Sequence, residues 1–133
     1  MAGTFSDYVE NKAVDHVLGV SPWTMPAAVY LTVFTANPNF ETGLGGTEAT
    51  GGGFIRKATP FTVASGGASS NSALRSWTIG VDIAAGSYTG WALYDALSGG
   101  NLLMGDAFSS TQTISTAGSL LTFDPSSVNC SLT

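Results

Sequence analysis

The chain has 133 residues, with four Lys or Arg against nine Asp or Glu and a formal net charge of −5. That length fits one domain able to bury a core without cross-links. Lys12, Arg56, Lys57 and Arg75 are the only basic residues and are scattered, which excludes tracking of a phosphate backbone; no nucleic-acid partner is expected.

Hydrophobic residues make up 44% of the chain and aromatics 11%, so it is no disordered acidic tail. With 10% charged residues, its surface falls to Ser, Thr, Gly, Ala and Asn. A neutral, hydroxyl-rich surface suits packing against copies or partners better than life as a free monomer. The opening MAGTFSDYVENKAVDHV lacks the basic and continuous apolar regions of a secretion signal. No run approaches the roughly 20 apolar residues of a membrane span. Synthesis in the cytoplasm and no membrane contact are expected.

Residues 4–18 predict a helix, with Thr4 as N-cap and Asp7 three residues on. Phe5, Tyr8, Val9, Ala13, Val17 and Val20 fall near helical spacing, and Gly19 stops the run. The apolar stripe is narrow, so one face holds the helix to a surface. Residues 21–26, SPWTMP, form an extended connector because two prolines exclude helix. Residues 27–35, AAVYLTVFT, predict a central strand, apolar on both faces. A long Gly-rich loop follows over 36–53, with Phe40 and Leu44 its only large apolar groups.

Residues 54–63 resume as a strand broken by Pro60, an edge or bulge signal. Residues 65–70 read as a turn and 73–79 as a strand. Over 88–95 both alternating sets are large, so both faces are covered. Residues 96–100 reverse the chain on two glycines, and 101–108 return as the partner strand. Short strands over 112–115, 119–123 and 128–132 complete a spacing of eight to twelve residues between turn signals. The expected fold is mainly β: a single domain over 1–133, with an N-terminal helical arm (1–20) and an antiparallel β-sandwich or jelly-roll-like body (21–133).

Reactive chemistry finds little to use. His16 is the only histidine, on a predicted helix, and reads as a surface or packing residue. Cys130 is the only cysteine, so no internal disulfide or zinc cage is available, and it reads as a small apolar filler. Asp82, Asp95, Asp106 and Asp124 lie at strand ends, where Asp is the expected turn former. Glu41 and Glu48 with loop carbonyls offer at most a calcium site. The glycines at 43–46 and 51–53 lack the Lys-Ser/Thr and helix that a phosphate loop requires. Trp77 and Trp91 lie in strand patterns and read as core, while Trp23, between prolines, is the better exposed aromatic. No enzyme activity, cofactor or metal is expected.

The segments TFSDYVENKAVDHVLG, VYLTVFTANP, EATGGGFIR, NSA and TGWALYDALSGGNLLMG occur in that order over nearly the whole chain. Together they resemble a family of small tailed-bacteriophage proteins. There an FSDYLENKLLDH helix precedes an LYLALFTADP strand, an EVSGGGYAR loop, an SNSA turn and HFGIYDAASGGNLLFWG. Met104, Asp106 and a longer tail with Cys130 depart from that pattern.

The resemblance implies a virion structural protein. From it we expect a capsid decoration, or cement, protein that binds the assembled head and stabilises it by mass action. The expected partners are the major capsid protein and copies of the chain itself, as a trimer. A tail, baseplate or fibre-associated component is the alternative. A carbohydrate-binding module using Trp23 or Trp77 is the alternative of another class. The candidate contact residues are Phe5, Tyr8, Val9 and Trp23 near the helix, and Phe40 and Leu44 in the loop.

Overall fold

The strongest alternation in the chain, around residues 86–94, becomes its central strand. A computed structural model describes residues 3–132. In chain order it shows β1 (Thr4–Phe5), α1 (Asp7–Val17), β2 (Tyr30–Ala36), β3 (Thr47–Glu48), β4 (Lys57–Ala58) and β5 (Ala68–Ser70). Then come β6 (Arg75–Thr78), β7 (Gly86–Tyr94), β8 (Leu102–Ile114), β9 (Leu120–Phe123) and β10 (Asn129–Ser131). Residues 1, 2 and 133 of the expected arm and body lie outside the described residues.

The chain is mainly β, and its strands pair antiparallel, as expected. Six strands build one sheet in the order β1-β8-β7-β2-β3, with β4 also on β2. The other layer is two ribbons, β5 with β10 and β6 with β9, in place of a second continuous sheet. One core joins them. Leu31 and Val33 of β2, Trp91 and Leu93 of β7, and Met104 of β8 pack with Trp77 of β6 and Phe123 of β9. Trp77 stacks on Phe54 with centroids 5.7 Å apart and meets Phe123 edge-on at 6.1 Å. Its indole N–H donates to the Ile55 carbonyl at 3.0 Å.

The other face of the sheet carries a smaller cluster of Phe34, Ala92 and Leu102, covered by Phe40 and Tyr94. Both faces of β2 and β7 are thus closed, which is why their sequences are apolar on both sides.

Several boundaries differ from the sequence expectation. The helix does not start at Thr4: Thr4 and Phe5 pair with Gly105 and Met104, and Ser6 is the N-cap. The strand expected over 54–63 shrinks to β4 plus a single bridge from Phe61 to Asn71, since Pro60 has no N–H to offer a ladder. The turn expected over 65–70 contains β5, and the loop over 36–53 contains β3. The strands expected over 101–108 and 112–115 are one strand, β8. Its register against β7 slips between Tyr88 and Gly90, so residues 108–111 bulge out of the pairing with β7, and Phe108 packs against Phe123.

Candidate interaction surface

The helix is clamped at its start and open at its end. The Ser6 N–H donates to the Leu103 carbonyl at 2.9 Å and its hydroxyl to the Leu102 carbonyl at 2.6 Å. The Ser6 hydroxyl oxygen also accepts the Val9 N–H at 3.4 Å, satisfying one free donor of the first turn. The Asp7 N–H donates to the Glu41 carbonyl, which ties the helix to the Gly-rich loop. This anchoring turns Val9 into the chain's own core and leaves Phe5 and Tyr8 half-buried against it.

Among the described residues the C-terminal half is tied only to the chain that follows it, by bonds from Val20 and Ser21 to the Asp15 carbonyl and from Trp23 to His16. Val14, Val17, Leu18 and Val20 point to solvent, with Val17 81% and Leu18 70% exposed. Met25 in the connector is 84% exposed. The stripe expected from Phe5 to Val20 therefore divides: its first part is core, and its second part is an open apolar patch. Apolar side chains gathered on a surface mark an interaction site more often than single ones do.

Trp23 is half-buried. With Phe5, Val9, Phe61, Met104 and Cys130 it walls an apolar cleft of about 290 Å³ beside the helix. The Cys130 sulfur lies 2.8 Å from the Met104 sulfur, and burial pushes its thiol up to about 11. A thiol so held stays protonated at neutral pH and is no nucleophile.

The Gly-rich loop is fastened to the sheet, not free. The Asn39 side-chain oxygen accepts the N–H groups of Glu41 and Thr42 at 2.9 and 3.0 Å. Asn37 exchanges hydrogen bonds with Thr89, donating to its carbonyl at 3.2 Å and accepting from its hydroxyl at 2.9 Å. Phe40 meets Phe34 edge-on at 6.3 Å and lies over Gly105. Leu44 alone points outward, 72% exposed. A Cβ at Gly105 would sit 2.6 Å from the Trp91 carbonyl and 2.6 Å from the Phe40 ring. The ring can move, but the carbonyl is fixed in the sheet. Gly105→Ala is therefore expected to destabilise by about 1–3 kcal/mol, read as a lower urea midpoint, with Phe40 displaced.

The second end of the loop holds its main electrostatic feature. Arg56 is 7% exposed and grips Glu48 with two hydrogen bonds, at 2.8 and 2.9 Å. It also donates to the Ala96 and Gly99 carbonyls at 2.8 and 2.7 Å and stacks 3.7 Å over the Tyr94 ring. Glu48 further accepts the buried Thr32 hydroxyl at 2.6 Å. Burial alone would push the Glu48 carboxyl up. The Arg56 and Thr32 hydrogen bonds and the Arg56 charge outweigh it, and hold the carboxyl below its usual range. So engaged, Glu48 has its oxygens on protein donors, and the calcium reading of Glu41 and Glu48 loses its stronger ligand.

Other acids serve turns. Asp82 accepts the Thr78 N–H at 3.0 Å, and Asp95 accepts from the Asn101 backbone and side chain at 2.7 and 2.9 Å. Asp106 does not lie at a strand end as expected: it sits inside β8 opposite Trp91, and its side chain accepts the Ala107 N–H at 2.8 Å. Among the described residues no group of three His, Cys, Asp or Glu side chains gathers in metal-binding range. Trp77 and Trp91 are fully buried and offer no face to a sugar.

Of the six sequence candidates, Phe5, Val9 and Trp23 converge on the cleft, Tyr8 walls the hollow beside it, Phe40 caps the other face of the sheet, and Leu44 stands apart at the loop tip. Val14, Leu18 and Met25 were not among them. Val14 and Leu18 fall outside the expected stripe of Phe5, Tyr8, Val9, Ala13, Val17 and Val20, and Met25 lies in a connector with no period to read.

A protein-family model described as podophage GP4 fiber I protein gp80 matches residues 4–131. Among curated proteins none matches the chain.

Proposed function

Because the chain belongs to the podophage GP4 fiber I protein gp80 family, a family of phage virion structural proteins, we propose that it is a fibre-associated component of the tail apparatus. It works as a rigid packing unit that docks through its surface and carries out no catalysis. The family match over almost the whole folded unit carries this reading. The exposed apolar side chains of Val14, Val17 and Leu18 on one side of α1, with Val20 and Met25 exposed after it, support it, since a protein that stayed alone in water would gain by covering them.

Decoration of the head, expected first from the sequence, becomes the second choice because the family description names a fibre. Self-association, as a trimer, and contact with neighbouring virion proteins belong to the same reading. Quantitative mass spectrometry of purified virions, with gold-labelled antibody, tests it. A small copy number confined to the tail region is expected. A copy number near that of the major capsid protein, spread over the head, overturns the fibre reading and restores decoration of the head, with the major capsid protein as partner.

The patch has its own test. A Val17→Glu and Leu18→Glu double variant changes only exposed side chains, so stability is expected to stay within about 0.5 kcal/mol per site. Incorporation into particles is expected to fall about tenfold or more, as for loss of a central contact. Normal incorporation would exclude Val17 and Leu18 as the contact.

A further inference from the structure

Between α1 and β2 the backbone crosses the molecule without regular structure. From Pro22 to Ala28 one hydrogen bond fastens it among the described residues: the Trp23 N–H donates to His16 Nδ1 at 3.0 Å. Pro22 and Pro26 supply no N–H of their own. Beneath this segment lie three adjoining hollows. Trp23 and Pro26 wall the apolar cleft of about 290 Å³ and, with Tyr8 and Asp95, a second hollow of about 190 Å³. Pro26 also borders a third, of about 600 Å³, with Pro60 and Arg75. The segment is a strap bordering these hollows, fastened by the packing of the half-buried Trp23 ring on the core and by one exposed bond whose acceptor is an imidazole nitrogen.

We propose that His16 is a proton-operated catch for this strap. Protonating it loosens residues 22–28 and opens the apolar cleft of Phe5, Val9, Phe61 and Met104 further. Nδ1 accepts a hydrogen bond only while it carries no proton; in the imidazolium both ring nitrogens are donors. The Trp23 N–H then faces another N–H, and the bond is lost. Histidine changes charge between about pH 5 and 8.

The surrounding charges do not replace the catch. Lys12 and Asp15 lie on the same helix, and the strap carries no charged residue. Across the second hollow stand the Tyr8 phenol and Asp95, whose carboxylate is already taken by Asn101. None of these is hydrogen-bonded to the Trp23 N–H.

The intact protein supports a clean experiment. Trp77 and Trp91 are fully buried, so acrylamide quenching of tryptophan fluorescence reads Trp23. His16 is the only histidine, so replacing it removes every imidazole of the chain. Between about pH 8 and about pH 5.5 the strap equilibrium is expected to shift about fivefold toward the open form, the worth of one net hydrogen bond. Quenching rises with it. His16→Asn keeps an oxygen acceptor that does not titrate, and is expected to hold quenching flat over the same range. Trp23→Phe is expected to abolish the response. Constant quenching in the wild type, an equal rise in His16→Asn, or a response that survives Trp23→Phe overturns the proposal. Loss of the far-UV β signal along with the rise overturns it too, because the whole fold would then be opening.

Discussion

Arg56→Ala is expected to cost about 2–4 kcal/mol of stability, less than breaking a fully buried ion pair because the Glu48 side chain keeps 29% exposure. The guanidinium is nearly enclosed, and its loss strands Glu48, the Ala96 and Gly99 carbonyls and the open face of Tyr94 together. Three separate pieces of chain lose their common tie: the end of the Gly-rich loop, β2 through Thr32, and the turn between β7 and β8. Lys at this position keeps the charge but cannot grip a carboxylate with two parallel bonds, so it should recover only part of the loss. Urea unfolding followed by circular dichroism measures both variants. An Arg56→Ala midpoint equal to wild type would mean that the loop is held by its other contacts alone.

The same pair sets an acid response. The Glu48 carboxyl is held below its ordinary value of 4.5, so its contribution to stability is present in full above that value. It is lost as pH falls through the folded value, because the protonated acid no longer holds Arg56. Glu48→Gln removes this part of the acid slope. Unfolding midpoints taken below pH 5 should therefore converge for wild type and Glu48→Gln as pH drops.

The second large effect is at Trp77. Trp77→Ala is expected to cost about 3–5 kcal/mol, since it empties the space between Phe54 and Phe123 where the β6–β9 ribbon meets the sheet. Trp77→Phe keeps a ring there and loses the bond to the Ile55 carbonyl and part of the volume, for about 1–2 kcal/mol. A midpoint shift at unchanged slope against urea would show that native packing alone was affected.

The parts of the fold visible in the sequence are those whose signal is local. β7, its Gly99-Gly100 turn and the first half of β8 are written as two alternating runs around glycines that both take positive φ. β2 is legible for the same reason. β1, β3 and β5 have two or three residues each in polar surroundings, and exist because a distant strand offers an edge. The helix cap shows the same limit. Thr4 and Ser6 are both good caps by type, and the choice falls to Ser6 because Phe5 is drawn into pairing with Met104. The Arg56–Glu48 tie was invisible because two lone charges eight residues apart across a Gly-rich loop carry no period. Where the stripe of α1 turns from core to open surface was not legible, because spacing gives the sides of a helix, whereas the depth to which each end sinks depends on what the sheet offers beneath it.

The bond from Ser6 to Leu102 joins residues 96 apart in the chain. At about 5–20 residues per second of synthesis, that stretch takes roughly 5–20 s to appear. Throughout that interval α1 has no sheet to rest on. Its 11 residues fall short of the roughly 12–15 that a lone helix needs in water. The earlier-made segment is therefore the later one to find its place, and the molecule closes from its C-terminal half backward, with β1 and α1 docking onto a hairpin already formed.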